Sequence, residues 1–137
     1  MTFQIGHYAF MAFPQTFMNS LLGMWTQSDR TLRRTALLEL FRPDARFHDA
    51  DGEFVGYEAL EGFSDSLQSR FPGARFTLTA ATAVGNAIRA SWAFGPPERP
   101  DAVTGMDFVI LDGDKIRRLY AFVERPGEYC PSDRPAG

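Results

Sequence analysis

The sequence is short of the features that mark several large classes of protein. Cysteine occurs once, as Cys130, which leaves no internal disulfide framework and no thiolate cluster for zinc, and makes a reducing cytoplasm the expected compartment. Histidine occurs twice, as His7 and His48, too few for the usual zinc sets, so no metal is expected. There is no excess of positive charge: 14 basic residues face 17 acidic ones, and the net charge of -3 gives no electrostatic footprint for nucleic acid. No Lys or Arg precedes Arg30, and Pro14, Gln15 and Asn19 interrupt the apolar N-terminal stretch, which argues against a signal peptide. No run approaches the roughly 18 apolar residues that would span a membrane. A Gly-rich phosphate loop and a Ser or Cys nucleophile elbow are both missing, so phosphoryl transfer and covalent acyl chemistry find no support. Lysine is almost absent too, Lys115 standing against thirteen arginines, which hints at a GC-rich, bacterial genome.

What is present suits one globular domain: 137 residues, 45% of them hydrophobic and 14% aromatic, enough to bury a core without staples. Residues 1–13 are apolar without periodicity and read as an arm. Pro14 suits the first turn of a helix running to about Gln27, with Phe17, Leu21 and Trp25 at four-residue spacing. Ser28 and Asp29 offer a cap for a second helix, whose buried side carries Leu32, Ala36, Leu37, Leu40 and Phe41 and which Pro43 and Asp44 end. Alternation from Ala45 to Ala50 predicts a short strand, with Phe47 and Asp49 on one face and Arg46 and His48 on the other. A third helix follows Gly56 through Leu60, Phe63, Leu67 and Phe71, and Pro72-Gly73 stops it. From there the pattern is strands alone: Phe76 to Val84, a Gly85-Asn86 turn, Ile88 to Phe94, a polar loop, then Val103 to Leu111 and Lys115 to Glu124 about Asp112-Gly113. Residues 125–137 read as a tail, which leaves 14–124 as the domain.

Helices first and antiparallel strands after imply an α+β domain, its helices covering one face of a curved sheet. Several phrases sharpen this: Leu40-Phe41-Arg42-Pro43-Asp44-Ala45-Arg46-Phe47-His48-Asp49, Gly56-Tyr57-Glu58-Ala59-Leu60 and Phe71-Pro72-Gly73-Ala74-Arg75-Phe76, then Arg89-Ala90-Ser91-Trp92, Gly105-Met106-Asp107-Phe108 and Ile116 to Phe122. In order and spacing they resemble the SnoaL-like branch of the nuclear transport factor two-like superfamily, related to polyketide cyclases and ketosteroid isomerases, over about Phe17 to Glu124. The resemblance implies a cone enclosing an apolar pocket. It also implies a small apolar or aromatic ligand, no cofactor, and a homodimer formed through the outer sheet face, for which Thr77, Thr79, Arg89, Ser91 and Arg117 are the candidates.

Two carboxylates are the candidate catalytic residues. Asp49 shares a strand face with Phe47 and matches the general-base position of ketosteroid isomerases. The local run His48-Asp49-Ala50-Asp51-Gly52 keeps the Asp and Gly of their Glu-Asp-Pro-x-Gly pattern but not its Glu or Pro. Its other reading is a turn aspartate accepting backbone amides before Gly52. Asp107 sits between Met106 and Phe108 in an apolar strand, where an unpaired charge is costly. The resemblance places it where those isomerases hold a protonated aspartate that donates to a developing oxyanion, a pattern known from that enzyme. The alternative is an outward aspartate paired with Arg89 or Arg118. The tyrosine that completes the isomerase site on the first helix is missing, Leu21 standing in its place. Trp25, Phe47, Trp92, Tyr120 and Phe122 are the candidate ligand-contacting residues, with Tyr57 and Tyr8 as further aromatics. Asp49-Ala50-Asp51-Gly52 also resembles a calcium loop, but that register puts Phe47 where an oxygen ligand is required. Two functions follow. One is a cofactor-free isomerase or cyclase acting on a small, largely apolar carbonyl compound by general acid/base catalysis. The other is a non-catalytic ligand-binding or dimeric scaffold domain.

Overall fold

The computed structural model describes the backbone of residues 2–125 and the side chains of residues 13–124. The tail with Cys130, and the side chains of His7 and Tyr8, lie outside the described residues. Three helices precede or interrupt six strands: α1 (Thr2–Trp25), α2 (Arg30–Leu40), β1 (Phe41–Asp49), β2 (Gly52–Val55), α3 (Gly56–Arg70), β3 (Arg75–Val84), β4 (Ala87–Gly95), β5 (Val103–Asp112) and β6 (Lys115–Arg125). The strands form one sheet in the order β2-β1-β6-β5-β4-β3. Every neighbouring pair is antiparallel except β1 with β6, which run parallel. This is the α+β arrangement expected, a curved and mostly antiparallel sheet with its helices on one face.

Local chemistry explains most of the boundaries. Asp29 caps α2 by accepting a 3.0 Å bond from the Leu32 amide, and the 3.2 Å Arg30–Asp65 and 2.9 Å Arg33–Asp65 bridges tie α2 to α3. Two-residue loops close the β3–β4 and β5–β6 hairpins, with Gly85 (φ 57°) and Gly113 (φ 65°) supplying the left-handed first position that a side chain would resist. The second loop is therefore Gly113-Asp114, one residue later than the expected Asp112-Gly113.

Three boundaries differ from expectation. The first helix does not start at Pro14 after an arm; it begins at Thr2 and carries Pro14 inside it. A proline deletes one intrahelical bond without forcing an end, and the apolar stretch before it offers no other stop. The strand expected from Ala45 begins at Phe41, directly after α2 and with Pro43 inside it. The β1–β6 register shifts between Phe41 and Arg46, so the residue without an amide donor falls in the irregular part of the ladder. The four-residue β2 was not anticipated, being too short to show alternation.

Met18 and Leu21 of α1, Leu37 of α2 and Leu60 of α3 pack, fully buried, against Ile88, Val109, Ile116 and Leu119 from the inner sheet face. Gln15 donates 3.0 Å to the Ala81 carbonyl and pins α1 across β3. No helix among the described residues is long and apolar enough to cross a membrane.

Candidate functional site

The helices leave part of the inner sheet face uncovered, and there the structure encloses a cavity of about 270 Å3. At its floor lies Asp107, only 3% exposed. The β4–β5 register sets Ala90 opposite it and the β5–β6 register sets Ala121 opposite, so two small residues flank the carboxyl and leave room in front of it. Trp92, on the next inward position of β4, donates its indole N–H to Asp107 Oδ1 at 3.0 Å. Burial pushes the Asp107 carboxyl up from 3.8 to about 7, and the Trp92 bond lowers it by less. Asp107 has no ion pair among the described residues. Arg89 and Arg118, its alternative partners, stand opposite Phe108 and Ile110 on the other face.

The walls are aromatic. Trp25 lies 5.0 Å from Phe63 and 5.3 Å from Phe47, and Phe76 meets Trp92 edge-on at 5.2 Å. These rings line the cavity with Phe71 and Phe94. Trp25 with Phe63 and Phe76 with Trp92 meet edge-on, a geometry aromatic pairs favour, whereas Trp25 and Phe47 are tilted by 31°.

The charged lining is Asp49, Asp51 and Arg70. Asp49 is half-buried, and its Oδ1 accepts the amides of Asp51 (2.8 Å) and Gly52 (3.2 Å). Both readings of Asp49 therefore meet in one side chain: it is a turn residue and it lines the cavity. Both bonds fall on a single oxygen, Oδ1, and neither engages Oδ2.

Of the expected ligand contacts, Trp25, Phe47 and Trp92 line the cavity, whereas Tyr120 and Phe122 do not. Asp107 pairs with Ala121, so Leu119, Ala121 and Val123 point inward and the aromatics between them point out. Tyr120 stacks on His48 at 4.8 Å on the outer face, and Phe122 is 52% exposed. Tyr57 is also a structural residue, donating its hydroxyl to the Phe41 carbonyl at 3.0 Å beneath the Arg34 guanidinium. Leu21 is fully buried core, so position 21 contributes no hydroxyl, and the donor beside Asp107 is the Trp92 indole from the sheet. Sequence reasoning missed Asp51, Arg70, Phe63, Phe71, Phe76 and Phe94. The apolar stripe of α3 and the alternation of β3 and β4 carried the signal for the four phenylalanines.

The helix-covered sheet with an acid at the floor of an aromatic cavity defines an α+β cone of the nuclear transport factor two-like class. Within that class the chain belongs to the SnoaL-like domain family, whose model matches residues 25–119. A candidate isomerase of the SnoaL-like family from Agrobacterium tumefaciens is 25% identical, with a TM-score of 0.78 over 83% of this chain and 99% of that one. A candidate SnoaL-like polyketide cyclase from Jannaschia sp. shares the fold at 15% identity and a TM-score of 0.64, over 81% of this chain and 87% of that one. A protein of ketosteroid isomerase-like fold from Catenulispora acidiphila, solved with trimethylamine, does so at 20% and 0.64, over 77% and 83%. Among proteins of curated function, none matches this chain. The relatives thus include a candidate isomerase and a candidate polyketide cyclase.

Proposed function

We propose that the cavity binds a small, largely apolar carbonyl compound and carries out general acid/base chemistry on it, as an isomerase or an aldol-type cyclase. The observation that carries this reading is the carboxyl of Asp107, buried at the floor of an apolar cavity that Asp49 also lines. Protonated, Asp107 donates its O–H to the carbonyl oxygen while its other oxygen keeps the Trp92 bond. Asp49 Oδ2 takes the proton from the adjacent carbon, and the electron pair moves onto the oxygen that Asp107 holds. Return of that proton to another carbon isomerises the compound; attack of the enolate on a second carbonyl closes a ring. This chemistry requires no cofactor.

The test uses 2-tetralone, a bicyclic ketone, in deuterated buffer. Wild type should accelerate exchange of the hydrogens beside the carbonyl, and Asp49→Asn should lower that rate by orders of magnitude while retaining binding. Equal exchange by wild type and Asp49→Asn would remove Asp49 from the chemistry.

A second reading has its own support. Seven aromatic rings and three carboxylates line the cavity, with only Arg70 to oppose them, and that combination suits an organic cation held without turnover. The relative solved with trimethylamine is a protein of similar fold. The two readings have opposite pH dependence: a ketone needs Asp107 protonated and weakens above about pH 7, whereas an ammonium ligand needs it ionised and tightens there. Choline compared with its neutral isostere 3,3-dimethylbutan-1-ol separates them by calorimetry.

A further inference from the structure

We infer that Gly105 is the positioning residue of this site, its missing side chain being what allows the Trp92 indole to lie across β5 and hold Asp107. Trp92 and Gly105 are directly opposed in the β4–β5 ladder, and Asp107 is the next inward residue along β5. To reach Asp107 the indole must cross the strand at Gly105. A Cβ at position 105 would stand 2.4 Å from Trp92 Cζ2 and 2.5 Å from Cη2, distances no carbon pair tolerates. It would also stand 2.5 Å from the Phe122 carbonyl oxygen, which makes β6 a second claimant on the same space. The indole has little room to retreat, because Phe76 meets it edge-on at 5.2 Å. Any side chain at position 105 therefore swings the indole off the strand and takes its N–H away from Asp107 Oδ1.

This inference deepens the proposed function, since it concerns the acid on which that reading depends, yet its test needs no ligand. The other charged groups lining the same cavity are Asp49, Asp51 and Arg70. The chain has two tryptophans, so Trp92→Phe assigns the two indole N–H resonances unambiguously. In wild type the Trp92 resonance should titrate with Asp107, with a midpoint near the value of about 7 set by burial. In Gly105→Ala that resonance should lose its titration, and the Asp107 carboxyl should titrate at higher pH than in wild type, as it should in Trp92→Phe. Combining the two substitutions should raise it no further, because both remove the same bond.

An unchanged indole titration in Gly105→Ala overturns the inference. The Phe122 contact supplies the rival explanation, and thermal unfolding separates it even where Gly105→Ala folds poorly. Phenylalanine lacks the Cζ2 and Cη2 atoms of the indole, so the alanine should lower Tm less in the Trp92→Phe background than beside Trp92. An equal loss in both backgrounds, or failure to fold in both, assigns the glycine to the β6 contact alone and overturns the inference. Failure of the ketone exchange with the indole titration behaving as described would count against the proposed function and leave Gly105 in its role.

Discussion

Replacing Asp107 by Asn gives the sharpest test of how the cavity floor behaves. The carboxyl is raised from 3.8 to about 7 in the folded state, while in the unfolded chain it ionises at its ordinary value. A raised folded value means that the folded state binds the proton more tightly. The stabilisation is therefore fully present below the unfolded pKa and is lost as pH rises through the folded one. Between pH 4.5 and pH 8 the linkage relation gives a loss of roughly 3 kcal/mol attributable to this group, a large share of an ordinary domain's stability. Asparagine has nearly the same shape, keeps an oxygen to accept the Trp92 indole and does not titrate. Urea denaturation of both proteins across that window should show the variant overtaking wild type as pH rises, the difference between them growing by about 3 kcal/mol. The comparison cancels the other carboxylates, which titrate alike in both chains. Parallel stability curves would refute the placement of a proton on Asp107 near neutrality, and with it the donor role in the proposed chemistry.

The remaining predictions concern the mouth, the helix layer and the outer face. Asp49→Ala removes an oxygen that accepts two turn amides, and should cost about 1 kcal/mol in urea denaturation, with Asp49→Asn costing less; equal stability of all three forms would deny the turn bonding. Arg33 is 2% exposed and bonds Ser64 at 3.2 Å and Asp65 at 2.9 Å, so Arg33→Ala should cost on the order of 3 kcal/mol, and a loss below about 1 kcal/mol would show the network to be dispensable. We propose that the outer sheet face, where Phe108 and Phe122 are exposed, pairs with a second copy; light scattering should give twice 15.4 kDa, Phe122→Asp should shift the protein toward 15.4 kDa, and a wild-type monomer at micromolar concentration would end the proposal.

The parts of the fold that were legible are those where one local signal dominates. The third helix has both a spaced apolar stripe and the Pro72-Gly73 stop, and the β3–β4 and β5–β6 hairpins each carry a glycine where the turn demands one. The start of the first helix is not legible in the sequence, because a proline reads as a helix start. Propensity marks Pro14 as a boundary, but burial of the residue and of its neighbours Phe17 and Met18 against the sheet outweighs one lost backbone bond. Strand β6 misled for a different reason. Leu119-Tyr120-Ala121-Phe122-Val123 is apolar at every position, so period two gives no parity, and size favoured turning the aromatics inward. Parity is settled instead by pairing with β5, whose register shifts between Ile110 and Leu111, and a shift of one residue exchanges the faces of everything after it. Asp107 was legible because it is the one charge in an otherwise apolar stretch. Arg70 was not, since a basic residue in a helix's last turn is already explained by the helix dipole.

The same register shows how the cavity is kept open. Inward-facing positions around Asp107 carry alanine at 90 and 121 and glycine at 105, while large rings stand back from them on α1, α3 and β3. A sheet face built for stability alone would place branched aliphatic residues at those three positions and no acid between them, closing the space and removing the loss above pH 4 that the carboxyl imposes. The chain does the reverse on two counts at once, keeping a void and keeping a buried acid whose one side-chain hydrogen bond among the described residues comes from an indole placed by the glycine. Each feature alone is destabilising, and neither offsets the other through a contact inside the protein. In the function proposed above, the compensating interaction comes from outside, from a molecule that fills the void and meets the acid. That is why Asp107→Asn should gain stability at neutral pH while losing ligand chemistry, a pairing of effects that a structural role for the carboxyl would not produce.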